Sequence, residues 1–174
     1  APKKYIGIDI GVVNDFTVLT CMDENFVVVD IDRFNMANEK YTHLEFKQRI
    51  ARFYKKHESD LVSAYMEVNN KELLFEELIT EFDMYKLMDI RTSAGNKAQM
   101  VDILIKLFDE YQIRIPYNEQ LEKELYAFSS VQNKVTGKWQ YRGSDNIHDD
   151  MVMSMVLCAT CIDEESNSGY TEVY

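Results

Sequence analysis

The run Tyr5-Ile6-Gly7-Ile8-Asp9-Ile10-Gly11 constrains this chain more than any other stretch. Its β-branched residues, closed by glycine, read as a core strand, and a core strand seldom carries an acid without a reason. A carboxylate among isoleucines is costly to keep charged unless something pairs with it, and a divalent cation is a natural partner. Near the other end, Ile147-His148-Asp149-Asp150-Met151-Val152 opens an apolar helix with two more acids. The expectation is that the two ends of the chain meet at a metal.

Three β-rich segments follow from the start: Tyr5 to Ile10, Thr17 to Met22 and Phe26 to Phe34. They are separated by the turn-forming Asn14-Asp15 and Asp23-Glu24-Asn25, which predicts an antiparallel meander. From Thr42 to His57, Leu44, Phe46, Ile50, Phe53 and Tyr54 recur at helical spacing against charged residues. Leu61 to Val68 returns to strand character and carries Glu67 at its end. A helix over Lys71 to Phe82, a strand over Tyr85 to Arg91 and a helix from about Lys97 to Tyr111 come next. Ile113 to Ile115 reads as a short strand stopped by Pro116, and Glu119 to Leu125 as a helix. Phe128 to Lys134 and Lys138 to Arg142 flank Val135-Thr136-Gly137 as a hairpin. The last helix is expected from His148 to about Ile162, with an acidic, mobile tail over residues 163–174. No repeat or linker interrupts this order, so the pattern predicts one α/β domain over residues 1–162 on a mixed β-sheet flanked by helices, with an added β-hairpin.

With 174 residues, 46% of them hydrophobic, the chain can bury a continuous core. No segment has the apolar length of a membrane span, and Lys3-Lys4 lacks the apolar run of a secretory signal, so a soluble intracellular protein is expected. The start at Ala rather than Met hints at processing or excision from something longer. Cys21, Cys158 and Cys161 are too few and too odd in number for a disulfide framework. Cys158-Ala-Thr-Cys161 lies in an apolar helical stretch with no answering pair, and core cysteines are the better reading. A net charge of −11 argues against a nucleic-acid coat protein, which needs clustered Lys and Arg. It does not argue against an enzyme that reaches phosphate through metal.

Asp9 in a strand, Glu67 at the end of another, and Asp149 and Asp150 in the first turn of a helix give acids from three elements. Hard oxygen-ligand sites for Mg²⁺ or Mn²⁺ are assembled in this way. Two such ions about 4 Å apart can activate a water and stabilise the leaving oxygen of a phosphodiester. Each acid also has an ordinary reading. Asp149 or Asp150 could favour a helix dipole, and Glu67 could pair with a lysine. His148 could serve beside the metal ligands or sit on the surface.

Taken in order, Ile6-Gly7-Ile8-Asp9-Ile10-Gly11 with Asp15 beyond it, Ala64-Tyr65-Met66-Glu67, Glu124-Leu125-Tyr126-Ala127-Phe128 and His148-Asp149-Asp150-Met151-Val152-Met153-Ser154 resemble the nuclease domain of viral large terminase subunits. The resemblance runs from about Tyr5 to Ala159. It implies a ribonuclease H-like fold and a metal-dependent endonuclease that cuts concatemeric viral DNA during genome packaging. It implies catalysis by Asp9, Glu67 and Asp150, metal held by these three with Asp149, and Asp15 in support, while His148 is a supporting candidate from its position alone. It also implies Mg²⁺ or Mn²⁺, two ions during catalysis, and double-stranded DNA, the terminase ATPase domain, the small terminase subunit and the portal as partners, with no membrane, in the host cell cytoplasm. Large terminases carry an ATPase motor, and no Gly-x-x-x-x-Gly-Lys-Ser/Thr pattern occurs here, so the chain corresponds to the nuclease part.

Two other readings share features with this one. Gly7-Ile8-Asp9-Ile10-Gly11 also resembles the first phosphate motif of actin-like ATPases, but those need a second Gly-rich loop, and the six glycines here are scattered. A Holliday-junction resolvase shares the implied fold and would prefer four-way junctions. For DNA contact, Lys134, Lys138 and Arg142 on the hairpin are the candidates, with Trp139 and Tyr141 between them, because a basic ribbon can reach a phosphate backbone. Lys97, at a helix start, is a further one. Arg49, Arg52, Lys55 and Lys56 read as a solvated helix face.

Overall fold

Strands form where the β-branched and aromatic residues gather. In the computed structural model, which describes residues 1–11, 14–132, 139–142 and 148–168, Lys4–Asp9 (β1), Thr17–Asp23 (β2) and Val28–Phe34 (β3) form an antiparallel meander. Leu61–Glu67 (β4) pairs parallel to β1, and Leu87–Ile90 (β5) parallel to β4, giving a five-stranded mixed sheet in the order β3-β2-β1-β4-β5. As the middle strand, β1 is covered on both faces, which explains its near-continuous apolar run.

Helices His43–His57 (α1) and Glu72–Phe82 (α2) cover one face of the sheet, where Phe46, Ile50, Phe53, Tyr54 and Leu78 pack on Ile6, Ile8, Leu19 and Met66. Thr42 and Glu45 cap α1 reciprocally, satisfying N–H groups that the helix leaves open. Ala94–Asp109 (α3), Glu119–Ala127 (α4) and Asp150–Ser168 (α5) cover the other face, with α5 lying across β1, β2 and β4. Ser129–Gln132 (β6) and Trp139–Arg142 (β7) pair antiparallel as a separate two-stranded sheet, while the expected turn at Val135-Thr136-Gly137 lies outside the described residues. No helix among the described residues is long and apolar enough to cross a membrane.

Several elements differ in their bounds from the sequence expectation, β5 among them, which is confined to Leu87–Ile90, and some differences have a visible cause. Helix α3 starts at Ala94 rather than Lys97, because Ser93 and Asn96 form a capping box. The segment Ile113 to Ile115 is not a strand. It makes a single parallel bridge, Val27 to Arg114, before Pro116 removes a donor. Helix α5 starts at Asp150, so His148 and Asp149 precede it rather than lying in its first turn. At its other end, α5 continues through Ser168. Tyr65 on β4 bonds Glu164 there, and the Ser166 hydroxyl donates back to the Ile162 carbonyl. The segment 163–168 is therefore helical rather than tail, and residues 169–174 lie outside the described residues.

Candidate metal centre

The position of Asp9 follows from strand alternation. Ile6 and Ile8 belong to the core on the α1 side while Tyr5 belongs to the core under α5, so Gly7 and Asp9 face α5. The same alternation on β4 turns Tyr65, and hence Glu67, toward α5 and Met66 away. Ile8 pairs with Met66 in the parallel ladder, which puts Glu67 beside Asp9 on one face of the sheet.

Helix α5 reads down β1 like a stair. The Cys158 thiol lies 3.2 Å from the Tyr5 carbonyl, and the Ser154 hydroxyl lies 2.9 Å from the Gly7 carbonyl and 2.8 Å from the Thr20 hydroxyl. Four helix residues rise about 6 Å, close to the rise of two strand residues, so the next step brings Asp150 over Asp9. Gly7 permits the approach. A Cβ there would stand 2.5 Å from the Cys158 backbone nitrogen and closer still to the Ser154 carbonyl oxygen. Gly11 does the same for the β1–β2 connection, where an added Cβ would meet Asp15 and Phe16 backbone at 2.6 Å.

Electrostatics registers this convergence. Burial raises the Asp9 pKa well above the ordinary carboxylate value, and Asp150, Glu67 and Asp149 raise it further, with Lys71 opposing them. Asp150 is pushed up to about 6, first by burial and then by Asp149, with Asp15 adding to the rise while His148 and the Phe16 backbone N–H favour the charged form. Its Oδ2 atom is buried without a hydrogen-bond partner. The Glu67 carboxylate accepts from the Thr92 hydroxyl at 2.7 Å, and Thr92 is held by Asn69, whose amide nitrogen donates to the Thr92 carbonyl at 2.8 Å and whose amide oxygen accepts the Thr92 N–H at 3.1 Å.

Asp15 and His148 do come to this place. The His148 Nδ1 atom lies 3.6 Å from Asp15 and 3.7 Å from Asp150 Oδ2, and its ring meets Phe16 edge-on at 5.6 Å. Lys97 sits in the first turns of α3, following Thr92. Lys134 and Lys138 lie outside the described residues, and Arg142 ends β7. Among the described residues, no group of three or more His, Cys, Asp and Glu side chains is drawn together as a ready-made metal cage. The donor set nevertheless suits a hard cation: all-oxygen, short of countercharge and including one buried carboxylate oxygen with no hydrogen-bond partner.

Sequence reasoning did not assign Glu124, Thr92, Asn69 or Lys71 to this neighbourhood. Glu124 is fully buried on α4, accepts the Met151 N–H at 2.9 Å, and has its pKa raised to about 7, chiefly by burial. An acid in the amphipathic pattern of α4 is ordinary, and only the docking of α5 reveals its burial.

No protein-family model matches the sequence, and no curated protein matches it. Solved structures do. The large terminase nuclease of thermophilic phage G20c with bound magnesium superposes with a TM-score of 0.73 at 21% identity, over 91% of this chain and 81% of that one. The chain has the fold of a terminase nuclease. The Thermus phage P74-26 large terminase nuclease domain matches at a TM-score of 0.71 and 23% identity, over 90% and 78% of the two chains. The HK97 bacteriophage large terminase matches at 0.74 and 14%, over 92% of this chain and 40% of that longer one. The ribonuclease H-like mixed sheet expected from the sequence is thus the architecture observed. The G20c nuclease has also been solved with cobalt and with zinc.

Proposed function

We propose that this protein is a divalent-metal-dependent DNA endonuclease that cuts concatemeric viral DNA during genome packaging. The observation that supports the reading is the stair of α5 on β1, along which Asp150, Asp9 and Glu67 crowd with only Lys71 and His148 as opposing charges. Asp9, Glu67 and Asp150 are the residues that hold the metal, with Asp149 beside them. Bound there, Mg²⁺ or Mn²⁺, as two ions during cleavage, supplies an activated water and stabilises the leaving oxygen. Thr92 orients the Glu67 carboxylate by its hydrogen bond, leaving the other oxygen for a ligand. His148, 3.6 Å from Asp15 and 3.7 Å from Asp150, supports the metal ligands from beside them, together with Asp15. Double-stranded DNA is the substrate, contacted by Lys97 and by hairpin residues Lys134, Lys138 and Arg142. The terminase ATPase domain, small terminase subunit and portal are the working partners, in the host cell cytoplasm.

Incubating the purified chain with supercoiled plasmid and Mg²⁺ or Mn²⁺, with and without EDTA and ATP, tests this. Nicked and linear DNA appearing only with metal and regardless of ATP is the expected result. An intact plasmid across the metal titration, with ATP hydrolysed, overturns it in favour of an actin-like enzyme. A strong preference for four-way junctions reassigns the nuclease to junction resolution.

A further inference from the structure

The start of α5 is fixed by another helix. Asp150 is the first helical residue, and the N–H of Met151 is one of the open donors at a helix N-terminus, commonly served by the helix's own N-cap side chain. Here Glu124 of α4 serves it: its Oε1 atom accepts the Met151 N–H at 2.9 Å, while its Oε2 atom accepts the Gln120 amide at 3.3 Å. Both carboxylate oxygens are therefore committed to orientation, in a side chain with no solvent exposure. Burying an acid in this way has a desolvation cost that an apolar residue on α4 would not incur.

We propose that Glu124 is a positioning residue that sets the Asp150 carboxylate over Asp9 by clamping the next backbone amide of α5. The inference rests on the metal-nuclease reading. The stair of contacts from Cys158 to Ser154 fixes the body of α5 on β1, and core burial of Met151, Val152 and Met153 seats its first turn, to which the Glu124 bond adds a fixed direction for the backbone that packing alone does not impose. The Glu124 clamp acts on the residue directly after Asp150. Fixing this amide fixes the backbone from which the Asp150 side chain departs, without Glu124 touching substrate or metal.

Two near-isosteric variants separate hydrogen-bond geometry from charge. Glu124→Gln keeps the reach and an acceptor oxygen for Met151 while removing the charge, and the Gln120 amide can rotate to offer its oxygen to the new amide. Glu124→Asp keeps the charge but withdraws the acceptor by one methylene. Each is measured for Mn²⁺ affinity by calorimetry, for kcat and KM on plasmid, for Met151 amide exchange without metal, and for thermal melting. Glu124→Asp is expected to lose roughly 10–100-fold in Mn²⁺ affinity and kcat with KM for DNA unchanged, and to exchange the Met151 amide faster, whereas Glu124→Gln stays near wild type. If Glu124→Asp only melts earlier and keeps wild-type affinity and kcat, the residue is structural and the inference fails. If Glu124→Gln is the damaged variant, charge rather than the clamp is what matters, and the inference fails. A wild-type protein that neither binds Mn²⁺ nor cuts DNA removes the nuclease reading itself, and this inference falls with it.

Discussion

On the α1 side of the sheet, acids are met by bases. Asp32 takes Arg49 through two hydrogen bonds of 2.6 and 2.9 Å, and Asp30 takes Lys56 at 2.8 Å and His57 at 2.7 Å. Glu77 and Glu81 share the buried Lys47. On the α5 side, Asp9, Glu67, Asp149 and Asp150 meet chiefly one another, with Lys71 and His148 as the opposing charges. The consequences for ionisation are opposite. Burial would raise Asp30, but hydrogen bonds from Lys56 and His57 outweigh it and hold its pKa below the ordinary value. Asp9 and Asp150 are raised. A fold that pairs its acids on one face and leaves them crowded on the other has a use for the crowded ones, because nothing about stability rewards that arrangement.

The largest expected effect tests that contrast directly. Asp9→Asn, Glu67→Gln and Asp150→Asn should each lower plasmid cleavage by about a thousandfold or more, since each removes ligand charge worth several kcal/mol to a bound metal. Arg49→Met, on the paired side, should leave the cleavage rate per folded molecule unchanged. Loss of cleavage in folded Arg49→Met, or retention of it in Asp9→Asn, would erase the distinction between the faces. The next effect is on stability. Arg49→Met leaves Asp32 and Glu39 uncompensated and should cost about 1–2 kcal/mol in denaturant unfolding, a modest figure because the pair is partly exposed. Without metal, Asp9→Asn should instead raise stability by about 1 kcal/mol, because it relieves burial of charge and repulsion together.

The two faces should also respond to pH with opposite sign. Asp30 is lowered in the fold, so its contribution is present above the unfolded carboxylate value and is lost as pH falls through the folded one. Asp150 is raised to about 6, so its contribution is present below the unfolded value and is lost as pH rises through about 6. Metal-free melting temperature should therefore decline as pH rises from the unfolded carboxylate value to about 6 and level off above it, and Mn²⁺ should reverse the decline. Asp150→Asn should flatten this limb while leaving the acid limb in place. A metal-free melting curve that rises through pH 6 would show that the crowded acids are neutralised by something other than cation binding.

Most of the sheet was legible because β-branched runs and turn residues are local signals, and α1 announced itself by its apolar spacing. The boundaries that moved were those set from a distance or by a cap. Pairing of Tyr65 with Glu164 extends α5 well beyond Ile162, and a single bridge to Val27 is all that Ile113 to Ile115 achieves. At the site, Asp9 stood out because an acid in an apolar strand conflicts with its surroundings. The Asp150-Ser154-Cys158 spacing is written in the sequence too, but it becomes a stair only once Gly7 is seen to admit a backbone at close range. Glu124 lay in one of the matched segments without a role, and Thr92 was hidden, because their partners lie 27 and 25 residues away and their own neighbours look like ordinary helix and loop.

The smallest effect, and the finest test of the crowded face, separates the adjacent acids. Asp149 precedes α5, and its carbonyl accepts the Met153 N–H at 2.9 Å, which makes it the N-cap. Asp150 is the first helical residue and lies on the same face as Ser154, one turn above the contact with Gly7. Successive residues near a helix start point in different directions, so the two carboxylates cannot both stand over Asp9 equally. Asparagine is as good an N-cap as aspartate, so Asp149→Asn should fold normally. It removes one of the charges that raise Asp9 without removing the ligand nearest to it, and cleavage should fall only about three- to tenfold, against about a thousandfold for Asp150→Asn. Manganese affinity should follow the same ranking in calorimetry. The reverse ranking would mean that the metal faces the N-cap rather than the first turn, and that the stair from Cys158 to Ser154 ends one residue short of the site.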